Sequence, residues 1–144
     1  MLKLLSLSVL LLLSACASNG GENLTAEQKT NMALVKWHSN GLVKNHTGLS
    51  LLSIDGKGVG GGEYWVTAGE HDLKFACGRW ESDKVVDGST YSKGQRTVSF
   101  EAGETYFLAG KRTGSGRNID VCSLHKFTYE EAKKRANSIT AMFM

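Results

Sequence analysis

The alternation in "HDLKFAC", residues 71–77, constrains the fold of this chain more than any other feature. Leu73, Phe75 and Cys77 fall on one side of an extended backbone, and Asp72 and Lys74 fall on the other. Side chains of a strand alternate between its two faces, so this pattern predicts a strand with one face buried and one in water. Antiparallel sheets carry such half-buried strands; all-parallel sheets are covered on both faces and read as unbroken apolar runs. The chain repeats the theme from Leu49 onward. "LSLLSIDG" runs into the turn signal Asp55-Gly56, and "GEYWVT" supplies a second strand with large aromatics. "RTVSFEAGETYFLAGKR" reads as strand, turn and strand, and "NIDVCSLHKF" as a last strand. Between them "ESDKVVDGSTYSKGQ" is polar and reads as a long loop or an irregular edge strand. The expected fold is mostly β, a small antiparallel β-sandwich with a C-terminal α-helix.

Two corners echo each other. Val66-Thr67-Ala68-Gly69-Glu70 and Phe100-Glu101-Ala102-Gly103-Glu104 share Ala-Gly-Glu, 34 residues apart. Gly69 and Gly103 suit positive-φ positions of reversing turns, so each corner is expected to close a hairpin. Over "TNMALVKWHSNG" two readings stay open. Ala33, Val35 and Trp37 alternate as on a strand, while Thr25 and Gln28 match a helix-opening capping box. Thr128 and Glu131 match a second box, and Tyr129, Ala132, Ala136 and Ile139 then share a helix face away from Lys133, Lys134 and Arg135. That predicts a helix over 128–144 packed on a domain spanning 31–127. A basic helix lying on a membrane surface is the alternative, which the thin apolar face disfavours.

The N-terminus carries a different message. Met1-Leu2-Lys3 leads into an apolar run from Leu4 to Leu13, the layout of a secretory signal peptide. A spanning helix needs about 20 apolar residues, so this shorter run is not expected to be a stable anchor. Leu13-Ser14-Ala15-Cys16 resembles the bacterial lipobox. The resemblance implies cleavage before Cys16, a diacylglyceryl group on its sulfur, and acylation of the new amine. One acyl chain binds a membrane only marginally and two or three hold firmly, so a protein so modified stays at the membrane. Residues 1–15 are then the signal peptide, and 16–30 the lipidated cysteine with a polar, glycine-bearing tether. The absence of aspartate after Cys16 resembles the enterobacterial pattern that directs lipoproteins to the outer membrane. Once Lys3 is lost, 16 basic residues face 14 acidic ones, a near balance that predicts no nucleic-acid partner. With Cys16 taken by lipid, Cys77 and Cys122 remain, and an even pair in an oxidising compartment reads as a disulfide. Two buried free thiols are the alternative; neither spacing resembles a zinc site.

The run "IDGKGVGGGEYWVTAGEHDLKFACG" resembles the PEGA-type hairpin and small lipoproteins with a prealbumin-like sandwich. These share an Asp-Gly turn, a strand, a glycine-centred corner followed by His, and an outgoing strand. The resemblance implies a binding or scaffold module with no catalytic residues to carry over.

Other motifs weigh little. Gly56, Gly58 and Gly61 spell G-x-G-x-x-G, but a phosphate cradle needs a helix next, and "EYWVT" is strand-like. His38, His46, His71 and His125 show no metal-ligand spacing, and no serine lies in a G-x-S-x-G elbow. Glu81 with Asp83, and Glu130 with Glu131, sit in polar contexts that suit solvated surfaces. Lys111, Arg112 and Arg117 in "KRTGSGRN" are candidate contacts for an anionic ligand such as lipopolysaccharide phosphate or an acidic glycan, or else a solvated turn. Trp37, Trp65 and Trp80 read as core before they read as sugar-stacking surfaces. The expected role is a non-enzymatic binding or structural module, lipid-anchored on the periplasmic side of the outer membrane. It needs no cofactor and no metal, and it partners the membrane and an envelope protein or glycan. An inhibitor or accessory subunit docking another envelope protein, and an envelope hydrolase or metal-handling protein using His71 or His125, are the rivals.

Overall fold

Thr25 sets how the described part of the chain begins. Its hydroxyl accepts from Gln28 N–H at 3.2 Å, and Gln28 Oε1 accepts from Thr25 N–H at 2.8 Å, a complete capping box. The box opens α1, Ala26–Thr30, and after Asn31 the backbone extends into β1, Met32–Trp37. Helix and strand therefore both occur in the ambiguous stretch, one after the other. The structure, a computed structural model, describes residues 23–77, 93–113 and 121–136. Cys16, Trp80, Arg117, Ile139 and the Glu81–Asp83 pair lie outside the described residues.

Seven more strands follow: β2 (Leu49–Ile54), β3 (Lys57–Gly58), β4 (Glu63–Thr67), β5 (Gly69–Cys77), β6 (Lys93–Phe100), β7 (Thr105–Thr113) and β8 (Val121–Thr128). They form two four-stranded sheets, ordered β4-β1-β7-β8 and β3-β2-β5-β6. Each sheet turns one apolar face inward. Val35, Trp37, Val66 and Leu108 of the first sheet meet Leu51, Leu73, Phe75 and Phe100 of the second. The alternation at 71–77 is borne out: Leu73 and Phe75 are buried, Asp72 and Lys74 exposed. The second sheet is wholly antiparallel, while the first contains one parallel pair, β1 with β7.

The Ala-Gly-Glu corners do not close hairpins. Each carries the chain from one sheet to the other: β4 lies in the first sheet and β5 in the second, β6 in the second and β7 in the first. Gly69 (φ 123) and Gly103 (φ 78) supply the left-handed backbone both reversals need. Strands on either side of each corner have one apolar face, and crossing the core lets those faces meet, which a flat hairpin would not. Gly69 pairs with Phe100 across β5 and β6, so both corners sit at the same end of the sandwich. The Asp55-Gly56 turn, by contrast, does make a two-residue hairpin, with Ile54 paired to Lys57.

The first sheet is covered on its outer face as well. Leu42 and Val43, in the segment between β1 and β2, pack with Phe107, Ala109, Phe127 and Ala132 into a second apolar cluster. Thr47 straps this segment to β7 through Thr47 N–H to Gly110 O at 2.7 Å and Gly110 N–H to Thr47 O at 3.0 Å. Ala132 comes from α2, Tyr129–Arg135, opened by Thr128 and Glu131 as their spacing predicts. The helix is shorter than expected. Ala136 is already extended (φ −67, ψ 145) and bridges to Val43, so it does not continue the helical face. Among the described residues no helix is long and apolar enough to cross a membrane.

Cys77 on β5 and Cys122 on β8 form a disulfide across the two sheets, with Cα atoms 5.5 Å apart. Side chains also stitch the open edge where β6 faces β8. Arg96 on β6 donates to Leu124 O at 2.7 Å, and Lys126 on β8 donates to Ser99 O at 2.6 Å.

Candidate functional site

Polar chemistry gathers in two places, one built for structure and one not. The first joins the Asp55 turn to the corner before β5. His71 Nδ1 lies 2.6 Å from Asp55 Oδ2, and its Nε2 lies 2.8 Å from Thr67 O. A carbonyl oxygen only accepts, so Nε2 carries a hydrogen. Asp72 N–H donates to Asp55 Oδ1 at 2.9 Å, and Thr97 Oγ1 donates to Asp72 Oδ1 at 2.6 Å. Burial opposes ionisation of Asp55, but the hydrogen bonds from His71 and Asp72 N–H, with the charges of His71 and Lys57, hold its carboxyl below the ordinary value. These contacts tie the Asp55 turn to the corner before β5 through groups of the fold itself, the pattern of a brace between two loops.

The second place is the edge of the sandwich along β8. Ser123, His125 and Phe127 alternate onto the outer face of the first sheet, and Lys111 stands opposite Ser123 on β7. His46, from the segment beneath the Thr47 strap, places its ring 4.9 Å from His125 and 5.1 Å from Phe127. Burial pushes the His125 imidazolium below its ordinary range, and the charges of His46, Lys111 and Arg96 push the same way. Among the described residues no carboxylate contributes to that balance. A shallow groove of about 350 Å³ runs beside it, lined by Arg96, Ser99, Leu124, His125 and Lys126 among others. Lys111 and Arg112 are exposed and, with Arg96 and Lys126, form no ion pair among the described residues.

The anionic-ligand candidates Lys111 and Arg112 therefore sit at the end of β7 beside this edge. Arg96, Lys126, His46 and His125 join them from β6, β8 and the loop before β2, and no spacing along the chain announces that assembly. The sequence marked Lys111 and Arg112 as candidates and the last strand that carries His125, but not that Arg96 and His46 come beside them. The rival chemistries look different once placed. Ser123 Oγ donates to Lys111 O at 3.2 Å and lies 3.4 Å from His125 Nε2, so its hydroxyl hydrogen is turned away from the ring. An activated nucleophile would direct that hydrogen at the base and would orient the base with a third group. His38, His71 and His125 do not assemble. His38 Nδ1 accepts from Asn40 N–H at 3.0 Å, His71 binds Asp55, and His125 lies against His46. Among the described residues no three His, Cys, Asp or Glu side chains converge as metal ligands. The G-x-G-x-x-G glycines run through the β2–β3 turn and the approach to β4, and a strand follows them, not a helix. Trp37 is buried in the core, whereas Trp65 is half-buried with Lys29 Nζ 5.4 Å from its ring centroid.

Comparison with protein families, with curated proteins and with solved structures finds no match to this chain.

Proposed function

We propose that this chain is a lipid-anchored envelope protein, acylated on Cys16, whose sandwich serves as a non-catalytic binding or structural module on the periplasmic side of the outer membrane. The observation that carries the reading is Leu13-Ser14-Ala15-Cys16 placed directly after an apolar run. The Cys77–Cys122 disulfide supports it, because such bonds persist in the oxidising space beyond the inner membrane and are rare in the cytosol. With Cys16 joined to lipid and the other two cysteines to each other, no free thiol is left over. The binding face is the basic edge along β8, where Arg96, Lys111, Arg112 and Lys126 form no ion pair among the described residues. Among the described residues of that edge, Ser123 Oγ gives its hydrogen to Lys111 O and not to His125, an arrangement that supports binding over hydrolysis.

Metabolic labelling with an alkyne fatty acid tests the anchor. The wild-type protein should take up label and remain with membranes after a carbonate wash, and Cys16→Ala should take up none. A wild-type protein without label refutes the anchor.

A further inference from the structure

We propose that the β6–β8 edge binds a phosphate group, held by Lys111 and Arg96 and seated against His125 and His46. The proposal rests on the binding reading above and names its ligand class. Arg96 from β6 reaches Leu124 O on β8, Lys111 from β7 stands opposite Ser123, and the imidazoles of His125 from β8 and His46 from the segment before β2 lie beside them, 4.9 Å apart. Holding like charges together without a counter-charge is unfavourable, and a fold with no use for the cluster would gain by placing an acid among them. None stands there among the described residues. Among the described residues further cations lie around it: Lys126 lines the groove beside His125, and Arg135, whose carbonyl accepts from Lys44 N–H at 2.9 Å, lies 5.1 Å over the Phe127 ring with Glu131 in its electrostatic range.

The donors suit a compact oxyanion. A guanidinium and an ammonium offer charge-assisted hydrogen bonds, and Arg96 spends one Nη1–H on Leu124 O, leaving further N–H groups of its fork. Ser123 Oγ, already donating to Lys111 O, fixes the β7–β8 register at the site. A phosphate monoester brings two negative charges near neutral pH, which matches several cations better than the single charge of a carboxylate. Protonation of the His125 ring adds to the attraction, so affinity rises as pH falls through its titration. A phosphorylated lipid headgroup and free phosphate present the same chemistry, and both are tested.

The experiment is an NMR titration of the four histidine rings, on the full-length protein as purified from cells in a neutral detergent. Its intact mass is recorded first, so a missing acyl chain is seen separately and leaves the titration readable. Inorganic phosphate should shift the His46 and His125 resonances in a saturable manner, with His38 and His71 still. Lys111→Gln, at an exposed site, should weaken binding roughly tenfold, while Lys74→Gln on the outer face of the second sheet should leave it unchanged. Nanodiscs of phosphatidylcholine with phosphatidic acid, set against phosphatidylcholine alone, assign the source. Stronger shifts with phosphatidic acid than with inorganic phosphate support a headgroup, and equal shifts support the free anion. Unmoved histidines with both ligands, shifts shared by all four rings, or a Lys111→Gln protein that binds as the wild type does would each overturn the site.

Discussion

Asp55 holds a left-handed backbone (φ 50) in the β2–β3 turn while its carboxylate takes hydrogen bonds from His71 and from Asp72 N–H. Aspartate tolerates that backbone better than most residues, and its short side chain then points back at the corner before β5. Asp55→Ala should therefore cost about 1–3 kcal/mol in denaturant unfolding, through both the backbone and the lost acceptors. Asp55→Asn keeps the backbone and isolates the charge. A carboxyl held below its ordinary value contributes stability above 3.8, its value in the unfolded chain, and loses it as pH falls through the folded value. Half of the Asp55 side chain is in solvent (51 % exposed), so screening keeps this term below about 1 kcal/mol. His125 works in a different window. Its folded imidazolium is disfavoured, so its contribution is complete above 6.5 and is lost as pH drops from there to the folded value. Stability measured against pH should thus fall in two steps. His125→Gln should flatten the step below pH 6.5, and Asp55→Asn the step below pH 3.8. A single step, unchanged in both variants, contradicts these roles. The Asp55–His71 pair was half legible: the turn and the histidine after the corner stand out in the sequence, but nothing local shows that they touch.

Among the elements, the two glycine corners decide the topology. A Cβ at Gly69 meets nothing within 4 Å, so Gly69→Ala isolates backbone cost from packing. Its φ of 123 lies in a region that side chains rarely adopt, and the substitution should cost about 1–3 kcal/mol. Equal stability of Gly69→Ala and wild type in urea would contradict the assigned backbone. The repeat of Ala-Gly-Glu was visible and its positive φ followed from glycine, yet both corners read as hairpins. The reason is that hairpin and sheet-crossing corner share turn chemistry; they differ in which distant strand each flank pairs with. The parallel partnership of β1 and β7 was illegible for the same reason, since the two strands lie far apart in the chain. The half-buried strands, set by period-two alternation, were legible, and so were the two capping boxes, set by residues three apart. The end of α2 was not. Ala136 has high helix propensity, but its bridge to Val43 takes the backbone out of the helix. Leu42 and Val43 gave no periodic signal in a segment of Gly, Asn and Lys, and only the folded chain shows that they roof the first sheet.

For the whole molecule, one disulfide joins the two sheets, and the lipid proposed at Cys16 would join the domain to a membrane. The Cys77–Cys122 bond closes a 45-residue separation and joins the two sheets, worth about 4 kcal/mol in the chain-entropy account. Cys77→Ser with Cys122→Ser should lower unfolding stability by about 2–5 kcal/mol, and the loss should match that of wild type in reductant. Core truncation gives a comparison of similar size, with Leu108→Ala, fully buried between the sheets, expected to cost about 2–5 kcal/mol. Intact-protein mass spectrometry of the membrane fraction, run with and without reductant and alkylation, tests the envelope-lipoprotein account most directly. The expected species begins at Cys16, carries the mass of a diacylglyceryl group with a further acyl chain, and gains two alkyl groups only after reduction. A species that retains residues 1–15, carries no fatty acid, or is alkylated at Cys77 and Cys122 without reductant would contradict it.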